Sequence, residues 1–239
     1  MLFLVKLIIF NTLINERLII FAQLLFIVFL NMDFFDFHHH KKNFNHGIYN
    51  LDIETIPPDF YYSAGIHPQE IQPENINNQF NWLKSVITEN CFAIGECGLD
   101  GLISVDMRIQ EEVFLRQIQL ANEIKKPLII HCVRKFYEVI SFRKKSEQPM
   151  IIHGFNKKQS VADDLLKNNF YLSFGKAVLY HLSLQDTLKT VPLDKLFLET
   201  DNDDFDIKEL YQKVSEIKKI SIEQLQQQIV ENLDTIKNG

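Results

Sequence analysis

The chain has 239 residues, 46% hydrophobic and 23% charged, and its 20 phenylalanines supply ample material for a buried core. The 25 basic and 31 acidic side chains leave a net charge of −6, which argues against sequence-independent coating of nucleic acid by clustered cations but not against a local grip on a phosphodiester through metals. Cys91, Cys97 and Cys132 are odd in number and lack a CxxC spacing, a pattern of free thiols in a reducing cytosol rather than of a disulfide framework.

In chain order, residues 1–31 come first, strongly apolar but broken by Lys6, Asn11, Asn15, Glu16, Arg17 and Gln23. The cleanest run, Leu18 to Leu30, falls short of the roughly 20 residues that span a bilayer as a helix, and no small-residue cleavage site follows it. The expectation is a translated upstream extension, with Met32 as the functional start, a cytoplasmic protein and no stable membrane association. A membrane anchor formed by residues 1–31 is the alternative. Residues 32–239 contain no Gly/Ser or Pro-rich linker and no repeat, so they are expected to form one domain. Strands are predicted at Phe34–His38, Ile48–Leu51, Tyr61–His67, Phe92–Gly95, Leu128–His131, Met150–His153, Phe170–Ser173 and Leu196–Glu199. Between them, residues 75–90, 107–126, 134–145, 160–169 and 182–191 carry apolar side chains at helical spacing. Residues 206–239 read as two helices split near Lys219–Ser221. The pattern predicts an α/β protein, a compact (β/α)8 TIM-type barrel. The stretch between His40 and Tyr61 is too short for a full helix and strand, so one βα unit near residues 41–60 is expected to be degenerate.

The predicted strands end on one class of side chain. His38 and His40 stand at the end of the first, His67 ends "YYSAGIH", and Glu96 follows "FAIG". His131 ends "PLIIH", His153 ends "MIIH", and Asp201 follows "LFLET". In a parallel barrel those C-terminal ends converge on one face, where active sites are built. His38 and His40, two apart on a strand, point the same way, about 6.6 Å apart, and His39 points to the other face. Imidazoles and carboxylates together suit zinc, manganese, iron or cobalt, and carboxylates bridge paired cations. His46 and His181 read as solvated surface histidines, and Cys97 and Cys132 as small buried hydrophobes beneath the helices. Among the lysine pairs, only Lys41, Lys42, Lys157 and Lys158 fall on the face of the strand ends.

Taken together, "DFHHH", "SAGIHP", "AIGECGLD", "RIQEEVFLRQIQLANEIKKPLIIHCVR", "IIHGFN" and "LFLETD" resemble the successive signatures of the TatD family, metal-dependent hydrolases with an amidohydrolase-type barrel. The resemblance runs from about residue 34 to the C-terminus. It implies one or two divalent cations, with Mg, Mn and Zn not distinguished, held by His38, His40, Glu96, His131, His153 and Asp201, with Glu96 bridging. It also implies that His67 contacts the scissile phosphate. The associated activity is that of a deoxyribonuclease, and some relatives remove D-amino acids from charged tRNA. The chain departs from the pattern in three places. Its interval from HxH to the next histidine motif is short, an acidic "NDDFDIKEL" replaces a Pro- and Arg-containing loop, and Arg134 falls one position later than the family's common arginine.

The mechanism implied by the resemblance is hydrolysis of a phosphodiester by a metal-activated water. Asp201 would act as general base and Glu96 would hold the cations together. His67 and Arg134 would steady the substrate anion. The expected partner is nucleic acid or a small phosphoester or ester. A D-aminoacyl-tRNA or other ester hydrolase on the same site is one alternative, and a metal-binding interaction module without catalysis is another.

Overall fold

Leu128-Ile-Ile and Met150-Ile-Ile are apolar without alternation, a pattern suited to strands covered on both faces, as in a parallel sheet wrapped by helices. The computed structural model, which describes residues 34–238, has that arrangement. Its strands are β1 (Asp36–His39), β2 (Gly47–Asn50), β3 (Tyr62–Ala64), β4 (Cys91–Asp100), β5 (Leu128–Val133), β6 (Met150–Ile152), β7 (Phe170–Phe174) and β8 (Leu196–Leu198). Each pairs in parallel with the next. A bridge between His39 and Asp201 joins the last strand's end to the first and closes the barrel. Around it lie α1 (Ile76–Ser85), α2 (Met107–Ile124), α3 (Phe136–Phe142), α4 (Gln159–Lys167), α5 (Ala177–Tyr180), α6 (Leu182–Thr190), α7 (Ile207–Lys218) and α8 (Ile222–Asn238).

The predicted barrel is therefore present, with the shortfall where residues 41–60 placed it. Neither the β1–β2 nor the β2–β3 connection contains a helix, so the reduction affects two connections rather than one unit. The final helices part at Lys219, which takes a left-handed conformation, φ 57°. The four-residue α5 was not anticipated, because a single turn carries no readable period. β4 also runs further than its expected end at Gly95. A register shift between Ile94 and Cys97 lets it keep pairing with β5 as far as Asp100, opposite Val133. Gly98 makes this possible: its φ is +141°, and a Cβ there would lie 2.0 Å from the His131 carbonyl oxygen.

One hydrophobic cluster fills the barrel and the space beneath its helices. The seam between β1 and β8 is packed by Phe37 and Phe197, stacked at 4.1 Å. It is also latched by Asp36, whose carboxylate accepts hydrogen bonds from Thr200 N (2.8 Å) and Thr200 Oγ1 (2.6 Å). The three cysteines are free and buried. No helix of the described residues is long and apolar enough to cross a membrane. The expected extension, residues 1–31, and the start at Met32 lie outside the described residues.

Candidate metal centre

The alternation of β1 directs His38 and His40 together. Their Nε2 atoms hydrogen-bond Glu96 Oε1 at 2.9 and 3.1 Å. His39 faces away, as strand geometry requires. Its Nδ1 accepts a hydrogen bond from Lys41 N at 3.2 Å and its ring packs against Phe44 and Tyr49. It is fully buried there, and burial, followed by the charge of His38, pulls its pKa down to about 3. Register brings the other strand ends level. Ile130 pairs with Ile152, so His131 and His153 stand side by side with ring centroids 5.6 Å apart. Asp201, with φ 51°, donates its N–H to the His38 carbonyl.

Apart from His39, these side chains surround Glu96, which is 7% exposed. Its two carboxylate oxygens face different groups. Oε1 meets His38 and His40, which in turn lie 3.8 and 3.5 Å from Asp201 Oδ1. Oε2 meets His153 Nε2 at 3.1 Å, and His67 Nε2 and His131 Nδ1 at 3.7 Å each. Donor atoms of His38, His40, Glu96 and Asp201 lie mutually within 4.8 Å, as do those of His67, Glu96 and His131. Converging imidazole nitrogens and carboxylates are a donor set that suits divalent transition metals, so these residues fit a cation-binding site. Sequence reasoning placed His67 with the substrate, whereas its Nε2 stands within the second of these sets.

The electrostatics follow from the crowding. Burial alone would raise the Glu96 pKa, but the imidazoles of His153 and His38 hold it well below the ordinary carboxylate range. Burial would lower His40, yet Asp201 and Glu96 hold it up at about 9. His153 is likewise raised against burial, by Glu96 and Glu199. His67 falls to about 4 and His131 also falls, each through burial first and then its neighbouring histidine. Burial would raise Asp201, but the hydrogen bond to His40 holds it low.

Several residues that orient this cluster went unnoticed in the sequence. Asp100 Oδ2 is 3.1 Å from His131 Nε2 and fixes which nitrogen of that ring faces Glu96. Glu199 Oε1 lies 3.5 Å from His153 Nδ1 and accepts a hydrogen bond from Gly154 N. Asn50 Oδ1 accepts from Glu96 N at 3.1 Å. Spacing could have revealed two of them, since Asp100 is four residues beyond Glu96 in one strand and Glu199 is two before Asp201. His67 is set by its own Nδ1, which accepts from Gln69 N at the start of a 3-10 turn, Pro68–Glu70.

The cluster lies at the floor of a cleft of about 630 Å³ whose walls include Asp52, Glu70 and Asn202. Arg134 is not among the residues that line it. It sits exposed in the turn after β5 with φ 57°, so the structure does not bring it to the cluster as the sequence reading expected. His46 and His181 are exposed and likewise do not line the cleft.

Comparison with known proteins adds an ancestry to this geometry. A family model described as TatD related DNase matches residues 40–237. An uncharacterized metal-dependent hydrolase of Bacillus subtilis is 31% identical over 195 residues, covering 73% of this chain and 76% of that protein. One from Buchnera aphidicola is 34% identical over 146 residues, 59% of this chain and 55% of its own length. A human 3'-5' RNA nuclease is 32% identical over 158 residues, 62% of this chain but 21% of that protein. Among solved structures, a TatD homologue of Escherichia coli K12 superposes with a TM-score of 0.73 at 19% identity, over 86% of this chain and 98% of that one.

Proposed function

This chain belongs to the TatD family of metal-dependent hydrolases, and from that premise we propose that it cleaves phosphodiester bonds of nucleic acid. The division of Glu96 carries the reading, because one buried carboxylate offers its two oxygens to two adjoining sets of donors. His38, His40, Glu96 and Asp201 would hold one divalent cation, and Glu96 with His131 and His153 a second. Such cations supply Lewis acidity, lowering the pKa of water and neutralising charge on a phosphoryl oxygen. Asp201, whose side chain is 39% exposed toward the cleft, is the base that accepts the proton of the attacking water. His67, whose Nδ1 accepts from Gln69 N, would present its Nε2–H to the substrate anion. Asp100 and Glu199 keep the His131 and His153 rings in register with Glu96. The similarity to a human 3'-5' RNA nuclease favours a nucleic-acid substrate over other esters.

The test combines metal analysis with a substrate panel: single-stranded DNA, RNA, D-aminoacyl-tRNA and bis(4-nitrophenyl) phosphate, each with and without chelator. Expected is cleavage of the nucleic acids that chelation abolishes, and a loss of about 10²–10⁴-fold in Asp201→Asn assayed with the cation in excess. Hydrolysis of the aminoacyl ester alone would move the activity to a different bond. Full activity in chelator or in Glu96→Ala would end the metal mechanism.

A further inference from the structure

Beyond the metal cleft, a second depression of about 680 Å³ lies between the β6–α4 connection and α5–α6. Its walls carry Lys157, Lys158 and His181, all exposed. The single carboxylate among its lining residues, Asp186, is taken up by Lys189 at 2.7 Å. A narrower cavity of about 170 Å³ lies between the two. It shares His131, His153 and Asp201 with the cleft, and Asn156 and Lys157 with the depression. Adjoining lining residues therefore run from the metal donors to a basic groove. Beside it, Tyr180, next to His181, is 68% exposed.

The opposite wall has the reverse character. Across the barrel, the loops after β2 and β3 present Asp52 and Glu70 to the cleft, with Asp52 taken up by Lys42 at 3.0 Å. The cleft lining holds Glu70 but no lysine or arginine, whereas the groove holds Lys157, Lys158 and His181, so the charges favour one direction of exit for a polyanion anchored at the metal donors. Cleft and groove are each as large as a small-ligand site, about 300–1,000 Å³. A substrate that fills the cleft alone leaves the groove empty. A basic channel flanked by an exposed aromatic ring is the usual means of holding a single strand without reading its sequence.

We propose that Lys157, Lys158 and His181 form a phosphate track for a single nucleic-acid strand whose reactive bond lies at Glu96, with Tyr180 as a stacking surface for a base. This rests on the nucleic-acid reading of the metal centre. It adds that the protein binds oligomers, along a defined side of the barrel, independently of its metal.

The test is anisotropy of a fluorescent 15-nucleotide DNA or RNA strand with full-length protein in chelator, where cleavage cannot intervene, across a salt series. The parent should bind, and Lys157→Glu/Lys158→Glu should bind at least about tenfold more weakly, with its salt slope reduced by about 1.4 for two lost contacts. Lys157→Ala/Lys158→Ala should show an intermediate loss. Lys144→Glu/Lys145→Glu, exposed just before β6 at the other end of the barrel, should bind as the parent does, and melting curves should show all variants folded. Absence of binding by the parent, or equal losses in the two charge-reversed variants, overturns the track. A parent that binds the strand as described yet hydrolyses no phosphodiester with any cation sinks the proposed activity while upholding the track.

Discussion

Glu96, His38 and His40 illustrate how much depends on which face of a strand a side chain occupies. The Nε2 atoms of His38 and His40 meet one carboxylate oxygen, while His39 is buried among Phe44 and Tyr49. Three adjacent histidines should therefore respond differently to one substitution. His38→Ala or His40→Ala should release the cation of the first set, read as metal content by elemental analysis. His39→Ala should retain metal but lower stability by about 1–3 kcal/mol, measured by urea unfolding, because it empties a filled site and removes the acceptor of Lys41 N. Equal metal loss in all three would mean that strand alternation does not define the site. This part of the molecule was legible because the period of a strand is rigid: a histidine two residues from another must share its face. Asp100 and Glu199 were less legible because, although their spacing places them on the faces of Glu96 and Asp201, only a distance shows that they act through a neighbouring ring.

Among the elements, α2 joins barrel to site through buried amides. Gln110 and Gln117 lie two turns apart on its inner face and neither is exposed. Gln117 Oε1 accepts from Ile66 N at 2.7 Å and its Nε2 donates to the Ile66 carbonyl at 3.1 Å. This pins the backbone just ahead of His67. Gln110 does the same for Asp100, through its N–H at 2.8 Å and its carbonyl at 3.1 Å. α1 repeats the device with Gln79, which accepts from Gln72 N and donates to the Glu70 carbonyl. Gln117→Ala would leave a buried N–H and a buried carbonyl without partners, a cost of about 1–3 kcal/mol for each. We expect a loss of about 2–6 kcal/mol in chemical denaturation. Gln117→Glu should restore only part of it, since a carboxylate accepts but cannot donate. No loss in either variant would show that the Ile66 backbone does not need this clamp. The sequence displayed α2 clearly through its apolar period. The purpose of its glutamines was hidden, because a polar residue on a buried helix face reads as an interruption until its backbone partner is known.

At the scale of the whole molecule, the donors come from both ends of the described chain. The latch between Asp36 and Thr200 joins residues 164 positions apart, and His38 and Asp201 lie immediately beside it. A cation held there binds only the closed barrel, so it should stabilise folding by mass action. At 100 times its dissociation constant the gain is about 2.7 kcal/mol, which is roughly 5–10 °C in melting temperature for a domain of this size. Adding chelator to the loaded protein should lower the melting temperature by that amount. Unchanged melting would place any bound metal away from the seam. The barrel was legible from the order of apolar runs, since a closed parallel sheet is the arrangement that covers them all. Its closing contact was not, because the register of the last strand against the first is fixed by tertiary packing.

The position of that seam also orders the events of synthesis. β1 leaves the ribosome first among the described strands, but of its two neighbours only β2 follows at once, and the segment around Thr200 and Asp201 emerges only after seven further strands. Until then His38 and His40 have no Asp201 opposite them, and the donors of the central strands stand on an open sheet. A chain interrupted anywhere before residue 201 would therefore lack a complete first set of donors. Under the proposed activity, such an arrangement would keep a nascent, ribosome-bound chain inactive among the RNAs that surround it.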